Sequence, residues 1–391
     1  MSSTKKKINI VMFNMSSYSE WEKGVQNRNF HILQTLLNDD RIGKILTVDY
    51  LPFNFQRAIR NFKENIFCRT GYKIIWRTIF SRALEINGRL LVYSSVLSYF
   101  SHVKFYAELK QFIDKQGLRD YIIWSYYPLD IDYFFKLEGR LNIFDAVDNW
   151  AEHPSYKKEA KLLLDNYKII NEKADIIFTV ANELESLFPN NHKVYWFPNG
   201  VDLKHYQQEY PIVNRDIGSL GKPIVGYIGT VQDRFDLDLF EYLSKQNPEK
   251  SFVVIGPIWY KQIKERLHKL KNVYCLGRKT YQEIPMYLQQ FDAGIIPHKI
   301  DRFIHFTNPM KMYEYLACGK PVVSTSGAGV DLFSEYVNIT NDYRQFNLYL
   351  NQAIKDNNQN LIKERLEAIK DHSWLKRADK MLDLIQQKLR N

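Results

Sequence analysis

The stretch PMKMYEYLACGKPVVST, residues 309–325, decides how this chain reads. It opens on a proline, carries one glutamate among Met, Tyr, Leu and Ala, and breaks at Gly319-Lys320-Pro321 into the β-branched run before Ser324. Gly-Lys-Pro does not continue a helix, so the pattern is a short helix followed by a buried strand. Pro309 suits the first helical turn, where its missing N–H costs nothing. The helix start then offers free backbone N–H groups and the positive end of its dipole, which together hold phosphate. Lys311 adds a full positive charge. Glu314, about one turn on, is placed to accept hydrogen bonds from a ribose diol, as acidic residues do in dinucleotide sites.

Working outward, short apolar runs alternate with helical patterns along the whole chain. INIVMF (8–13), KILTV (44–48), DYIIWSY (120–126), LNIFDAV (141–147), DIIFTV (175–180) and KVYWF (193–197) read as buried strands. Amphipathic stretches such as RNFHILQTLLNDD and SYKKEAKLLLDNYKIINEKA lie between them. That alternation predicts a parallel, doubly wound α/β sheet. After the turn PNGVD (198–202) and a polar stretch (207–223), the alternation restarts with PIVGYIG, SFVVIG, NVYCLG, DAGIIP and KPVVST. Two Rossmann-like domains are expected, 1–205 and 206–371, facing one another across an interdomain cleft. Residues 372–391 read as a helix packing across the domain boundary, with Trp374, Ala378, Met381, Leu382 and Ile385 on one stripe. In such folds ligands sit beyond the carboxyl ends of the strands, which is where the opening helix would begin.

Composition narrows the class. A chain of 391 residues with 45% hydrophobic content supports two packed domains rather than disorder. No run reaches 18 apolar residues, and the first, INIVMF, is too short for a signal-peptide core, so a cytoplasmic protein without a spanning helix is expected. Cys68, Cys275 and Cys318 have neither metal spacing nor an even count. The net charge of +10 with 15% aromatic residues favours an anionic partner. No nucleic-acid motif accompanies the charge, which argues for no nucleic acid. Much of it falls between residues 57 and 140; within 57–107, Arg57, Arg60, Lys63, Arg69, Lys73, Arg77 and Arg82 interleave with Phe62, Phe67, Ile75, Trp76 and Phe80. That segment reads as a surface for an anionic membrane, or as a solvated face over a packed interior.

With PNGVD upstream and GYIGTVQDRFD between, PMKMYEYLACGKPVVS resembles the retaining GT-B glycosyltransferases of family 4 type, nearest to bacterial cell-wall and capsular polysaccharide enzymes of teichuronic-acid type. The resemblance covers nearly the whole chain and is strongest over 141–325. It implies a nucleoside-diphosphate sugar as donor, with UDP as the nucleotide, and no cofactor. Glu314 would bind the ribose, and backbone N–H groups around Asn308, Pro309, Met310 and Lys311 the diphosphate. Two family features are missing: a second glutamate, whose place holds Phe306, and a lysine five residues after Arg234, whose place holds Leu239. Lys311 or Arg278 would supply the second charge.

Each candidate has a plainer reading. Gly229 and Thr230 end a strand and open a polar turn whose N–H groups would face a phosphate. Arg234 suits phosphate oxygens as a bidentate fork, against a local ion pair with Asp233 or Asp236. Asp145 and Asp148, at the end of a strand, are expected to point toward the cleft, and Asp148 is either functional or a helix cap. His153 reads as a solvated loop residue. Gly24 ends a loop before a helix and would let backbone approach diphosphate or acceptor. The Asp-x-Asp patterns DID (130–132) and DLD (236–238) arise easily by chance, and the nine histidines show no ligand-pair spacing, so no metal is expected. The sequence therefore points to a metal-independent hexosyl transfer to a polysaccharide, glycan or lipid-linked acceptor. Asp148, Arg234 and Lys311 would do the chemistry, in a cytoplasmic protein peripheral at the inner face of the membrane. A nucleotide-sugar epimerase of the same fold and a non-catalytic nucleotide-binding scaffold are the alternatives.

Overall fold

The apolar runs form the strands expected of them. The computed structural model describes residues 7–50, 55–66, 71–210, 216–327 and 329–390. Cys68, Phe67, Arg69 and the side chain of Arg57, all named above, lie outside the described residues, as do 211–215 of the polar stretch. The chain divides into two units: Met1–Val180 with Leu184–Phe197 and Ala378–Asn391, and Ala181–Glu183 with Pro198–Arg377.

In the first unit the described strands are β1 (Ile8–Phe13), β2 (Ile42–Asp49), β3 (Lys73–Arg77), β4 (Ser81–Asn87), β5 (Leu90–Ser95), β6 (Ile122–Ser125), β7 (Asn142–Ala146), β8 (Ile176–Thr179) and β9 (Val194–Trp196). They form one sheet in the order β3-β4-β5-β2-β1-β6-β7-β8-β9. β1 pairs in parallel with β2 and β6, with Phe13 opposite Val48 and Ser125. The central strands are buried on both faces, so they read as continuous apolar runs rather than as alternation. The sheet is not purely parallel, which corrects the expectation. β3 pairs antiparallel with β4, and β4 with β5, so part of the basic segment is a hairpin on the sheet's edge. β5 within that segment is buried along its whole length. Ile75 and Trp76 are half-buried, and the Trp76 indole N–H donates to Glu108 at 3.2 Å.

The second unit carries β10 (Ile224–Ile228), β11 (Ser251–Ile255), β12 (Val273–Gly277), β13 (Ala293–Ile296), β14 (Val322–Ser324) and β15 (Val337–Ile339). All pair in parallel, in the order β12-β11-β10-β13-β14-β15. β10 and β13 are therefore adjacent at the centre, and their carboxyl ends lead into Gly229 and His298. The PNGVD turn is tied to the end of the same unit: Val201 N–H donates to the His372 carbonyl at 3.0 Å, and Trp374 N–H to the Val201 carbonyl at 3.1 Å. The last helix spans Trp374–Arg390, and its predicted stripe is buried throughout.

Candidate anion and nucleotide site

The Met310–Ala317 helix follows Pro309, which stands one residue before it rather than in its first turn as expected. Pro309 fixes an extended backbone (φ −74°, ψ 111°) and has no side chain to cap the helix, so the first amides carry no side-chain acceptor. Asn308 anchors this start. Its Oδ1 accepts Asn199 N–H at 3.0 Å and its carbonyl accepts the Asn199 side chain at 2.7 Å. The Pro-Asn-Gly turn and the Asn-Pro helix start thus lock together 109 residues apart in sequence.

The Lys311 side chain is buried beneath the end of β10. Its Nζ lies 3.4 Å from His298 Nε2 and 5.1 Å from the centre of the Tyr227 ring. A Cβ on Gly229 would stand 3.3 Å from Lys311 Cε and 3.6 Å from Nζ, so the glycine leaves the room that the ammonium uses. Burial lowers the Lys311 ammonium to about 7, Arg234 pushes the same way, and Glu314 opposes them. The full charge expected from sequence is thus only partly present near neutral pH. Burial holds His298 well below its usual range, again reinforced by Lys311 and Arg234, so its ring is neutral.

Arg234 completes the cluster. Its Nε is buried without a hydrogen-bond partner among the described residues. The local ion pairs weighed against it do not take it up. Asp233 accepts the Tyr260 hydroxyl at 2.8 Å, and Asp236 caps the Leu237–Gln246 helix through Leu239 N–H while accepting Tyr343 at 3.0 Å. Asp238 pairs with Arg266 at 2.6 Å, so DLD is a helix start and a surface ion pair. A half-buried guanidinium with a buried, unpartnered Nε next to a buried lysine suits an anion.

Three further candidates of the same unit have different standing. Gly229 N–H is spent on the Ile255 carbonyl and Val231 N–H on the Pro257 carbonyl, both at 2.9 Å. The expectation that Gly229 offers its N–H is therefore corrected; its contribution is space. Of the three consecutive amides, that of Thr230 has no hydrogen-bond partner among the described residues. Glu314 is half-buried; burial raises its carboxyl, while a hydrogen bond with Tyr206 and the Lys311 charge pull it back. It is not an exposed helix carboxylate. Arg278 is exposed after Gly277, at the end of edge strand β12.

The remaining candidates belong to the first unit. Asp145 does not point outward: it is fully buried and holds Arg28 Nε with both oxygens, at 3.0 and 3.1 Å. Asp148 is half-buried in the loop after β7, where its carbonyl accepts the Tyr167 hydroxyl at 3.4 Å. His153 Nδ1 accepts Ser155 N–H at 3.1 Å and caps a short 3-10 turn. Gly24 has φ +87° and closes the Tyr18–Glu22 helix, its N–H donating to Trp21 at 2.9 Å, so a local reason for glycine exists there. Of the DID residues, Asp130 and Asp132 gather with His102, their ligand atoms within 4.8 Å of one another. Asp130 is already engaged by His102 at 3.1 Å, by the Tyr50 hydroxyl and by Asp132 N–H.

The chemistry-bearing helix, the Lys311 cluster and the Gly229 turn all fall in one segment. Residues 222–347 match the family model of glycosyl transferases group 1. A protein of Bacillus subtilis (strain 168), named TuaH for teichuronic acid biosynthesis and glycosyl transfer, is 27% identical over 202 residues. That match covers 47% of this chain and 50% of the relative, so the chain spans about half the length of the curated relative it matches. Among solved structures, HepE of Anabaena in complex with UDP and glucose superposes with TM-score 0.67 at 12% identity, covering 97% of this chain and 99% of that one. Sucrose-phosphate synthase of Thermosynechococcus elongatus gives 0.68 at 16% identity, covering 98% and 100%. The catalytic domain of starch synthase IV of Arabidopsis thaliana, bound to ADP and acarbose, gives 0.69 at 12%, covering 99% and 100%. The fold is GT-B, as the sequence led us to expect.

Sequence reasoning missed His298, Tyr206 and the Asn199–Asn308 lock. His298 was passed over because a lone histidine carries no pattern, although it ends the apolar run DAGIIP. Tyr206 and Asn199 are separated from the helix by about a hundred residues, and nothing in their neighbours announces the contact.

Proposed function

We propose that this chain is a glycosyltransferase that moves a hexosyl group from a nucleoside-diphosphate sugar, with UDP as the nucleotide, to a glycan, polysaccharide or lipid-linked acceptor, with retention at the sugar carbon. The observation that carries the reading is the buried Lys311 with the half-buried Arg234, whose Nε is buried and unpartnered among the described residues, beside an uncapped helix start, with Glu314 as the nearby carboxylate. A diphosphate brings the negative charge that this pair lacks. As the sugar leaves, charge grows on the diphosphate, and cations already fixed in place stabilise it without reorganising. Such preorganised donors contribute on the order of 3–4 kcal/mol each when removed singly from comparable sites. Glu314 and Tyr206 suit the ribose hydroxyls, and the Thr230 amide and the Met310 helix start suit the phosphates. The matched family and the UDP-bound neighbour support the nucleotide; the resemblance to retaining enzymes supports the stereochemistry. Because the two cations serve the leaving group, the reading needs no metal, and turnover is expected to survive excess EDTA.

Calorimetric titration with UDP tests it. Binding is expected for the wild type, and Glu314→Ala should lose about 1.5–3 kcal/mol of it, the worth of a hydrogen bond to a charged group. Affinity within twofold of wild type would remove Glu314 from the site. A panel of UDP-sugars with and without glycan acceptors then reads the reaction: UDP release that requires acceptor supports transfer. Turnover of donor alone would make the chain an epimerase, and UDP binding without release from any donor would make it a scaffold.

A further inference from the structure

The first unit carries an apolar surface that this chemistry leaves unused. In the Phe55–Ile66 helix, Phe55, Ile59 and Phe62 are exposed at successive spacings of four and three, one stripe of a helix. The adjoining side holds the helix down: Ala58 and Asn65 are buried, and the Asn65 side chain donates to the Phe80 carbonyl at 2.7 Å. Asn61 reaches the Tyr99 hydroxyl at 3.3 Å, and Arg82 pairs with Glu64 at 2.7 Å. The helix therefore sits on the turn of the β3–β4 hairpin and on the 3-10 turn Val96–Tyr99. At those same places Ile79, Phe80, Phe100 and Val103 are also exposed, Phe100 and Val103 by 71% and 72%. Seven large exposed apolar side chains on the helix, the hairpin turn and the 3-10 turn that pack together exceed the single scattered residues of an ordinary surface.

Charge says what covers them. Lys63, Arg77 and Lys104 are exposed within the same segment, and so is Lys73, which is paired with Glu85. The acids among them are engaged: Glu64 by Arg82, Glu85 by Lys73 at 3.1 Å, and Glu108 by Trp76 and by Thr78 at 3.0 Å. A protein partner or a second copy would need acids opposite these cations, whereas an apolar stripe rimmed by cations matches acyl chains beneath anionic headgroups. We propose that this face docks on an anionic lipid bilayer. The proposal goes beyond the reading of the nucleotide site and stands without it, since it uses residues of the other unit only.

The test is co-sedimentation of the full chain with phosphatidylcholine vesicles, with and without phosphatidylglycerol. The wild type is expected to bind the anionic vesicles and to remain in solution with neutral ones. Each cation at such a surface is worth about fivefold in partition. The quadruple variant K63Q/K73Q/R77Q/K104Q should therefore bind at least tenfold more weakly. The triple variant F55S/F62S/F80S should lose binding as well. Both variants should keep wild-type UDP affinity, which separates loss of docking from loss of fold. Equal sedimentation of wild type and variants, or equal binding to neutral and anionic vesicles, would overturn the proposal. So would a wild-type dimer that ignores vesicles and dissociates in the triple variant.

Discussion

Lys311 concentrates the physical problem of the site in one residue. Its ammonium is buried beside a neutral imidazole and Arg234, so the folded protein holds it near 7, far below the ordinary lysine value of about 10.4. The sign for stability follows. Between about 10 and about 7 the unfolded chain binds a proton that the folded site does not, so this lysine makes the fold less stable as pH falls through that window. A diphosphate reverses the preference, because its charge favours the ammonium and raises the lysine again. UDP is therefore expected to bind with uptake of a proton above pH 7. Its affinity should fall as pH rises through 7, by up to tenfold per unit until the bound lysine itself titrates. Calorimetry in buffers of different ionisation enthalpy reads that uptake directly. Lys311→Met should abolish the pH dependence along with most of the affinity, while Arg278→Gln should leave the dependence in place. A Lys311→Met protein with the wild-type slope would assign the proton to another group.

At the scale of elements, two strand ends meet where no side chain fits. Gly229 and Gly256, closing β10 and β11, both adopt φ +137°, a region that only glycine enters without strain. A Cβ on Gly256 would stand 2.2 Å from the Gly229 carbonyl oxygen, inside any tolerable contact. Gly256→Ala is expected to cost about 1–3 kcal/mol or more. For a domain of this size that is a fall of about 2–4 °C in Tm per kcal/mol, measurable by calorimetry. Gly229→Ala meets Lys311 instead, so its larger effect should be on UDP affinity; an unchanged affinity would detach the turn from the site. These strands were legible because burial on both faces makes them apolar runs. The β3–β4 hairpin was not, since Lys73, Arg77 and Arg82 interrupt its apolar residues and the segment read as one basic surface. β15, only three residues long, offers too little pattern to see. The Met310 helix was legible through Pro309 and Gly319, yet the burial of Lys311 was not, because it depends on β10 and β13 lying side by side.

For the whole molecule, the candidate residues separate by unit. Arg234, Lys311, Glu314, Asn308 and the Gly229 turn belong to Pro198–Arg377, while Asp148 and Gly24 belong to Met1–Val180. On the proposed function the enzyme has two substrates, and the residues assigned to the donor all belong to the second unit. On that reading the candidates of the first unit serve the acceptor or the transferred sugar, and the half-buried Asp148, in the loop after β7, is the carboxylate assigned to that part. Asp145, three residues earlier, shows the contrast: its carboxylate is wholly committed to Arg28, and Asp145→Asn should destabilise the fold by leaving a buried guanidinium uncompensated. Asp148→Asn, in contrast, should leave Tm and UDP affinity near wild type and lower the rate of transfer. A transition-state role predicts a fall in kcat at constant donor Kd, whereas a purely structural role predicts a fall in Tm with kcat preserved in the folded fraction. Parallel loss of UDP affinity and rate in Asp148→Asn would mean that the division of labour between the units is not the one drawn from their residues.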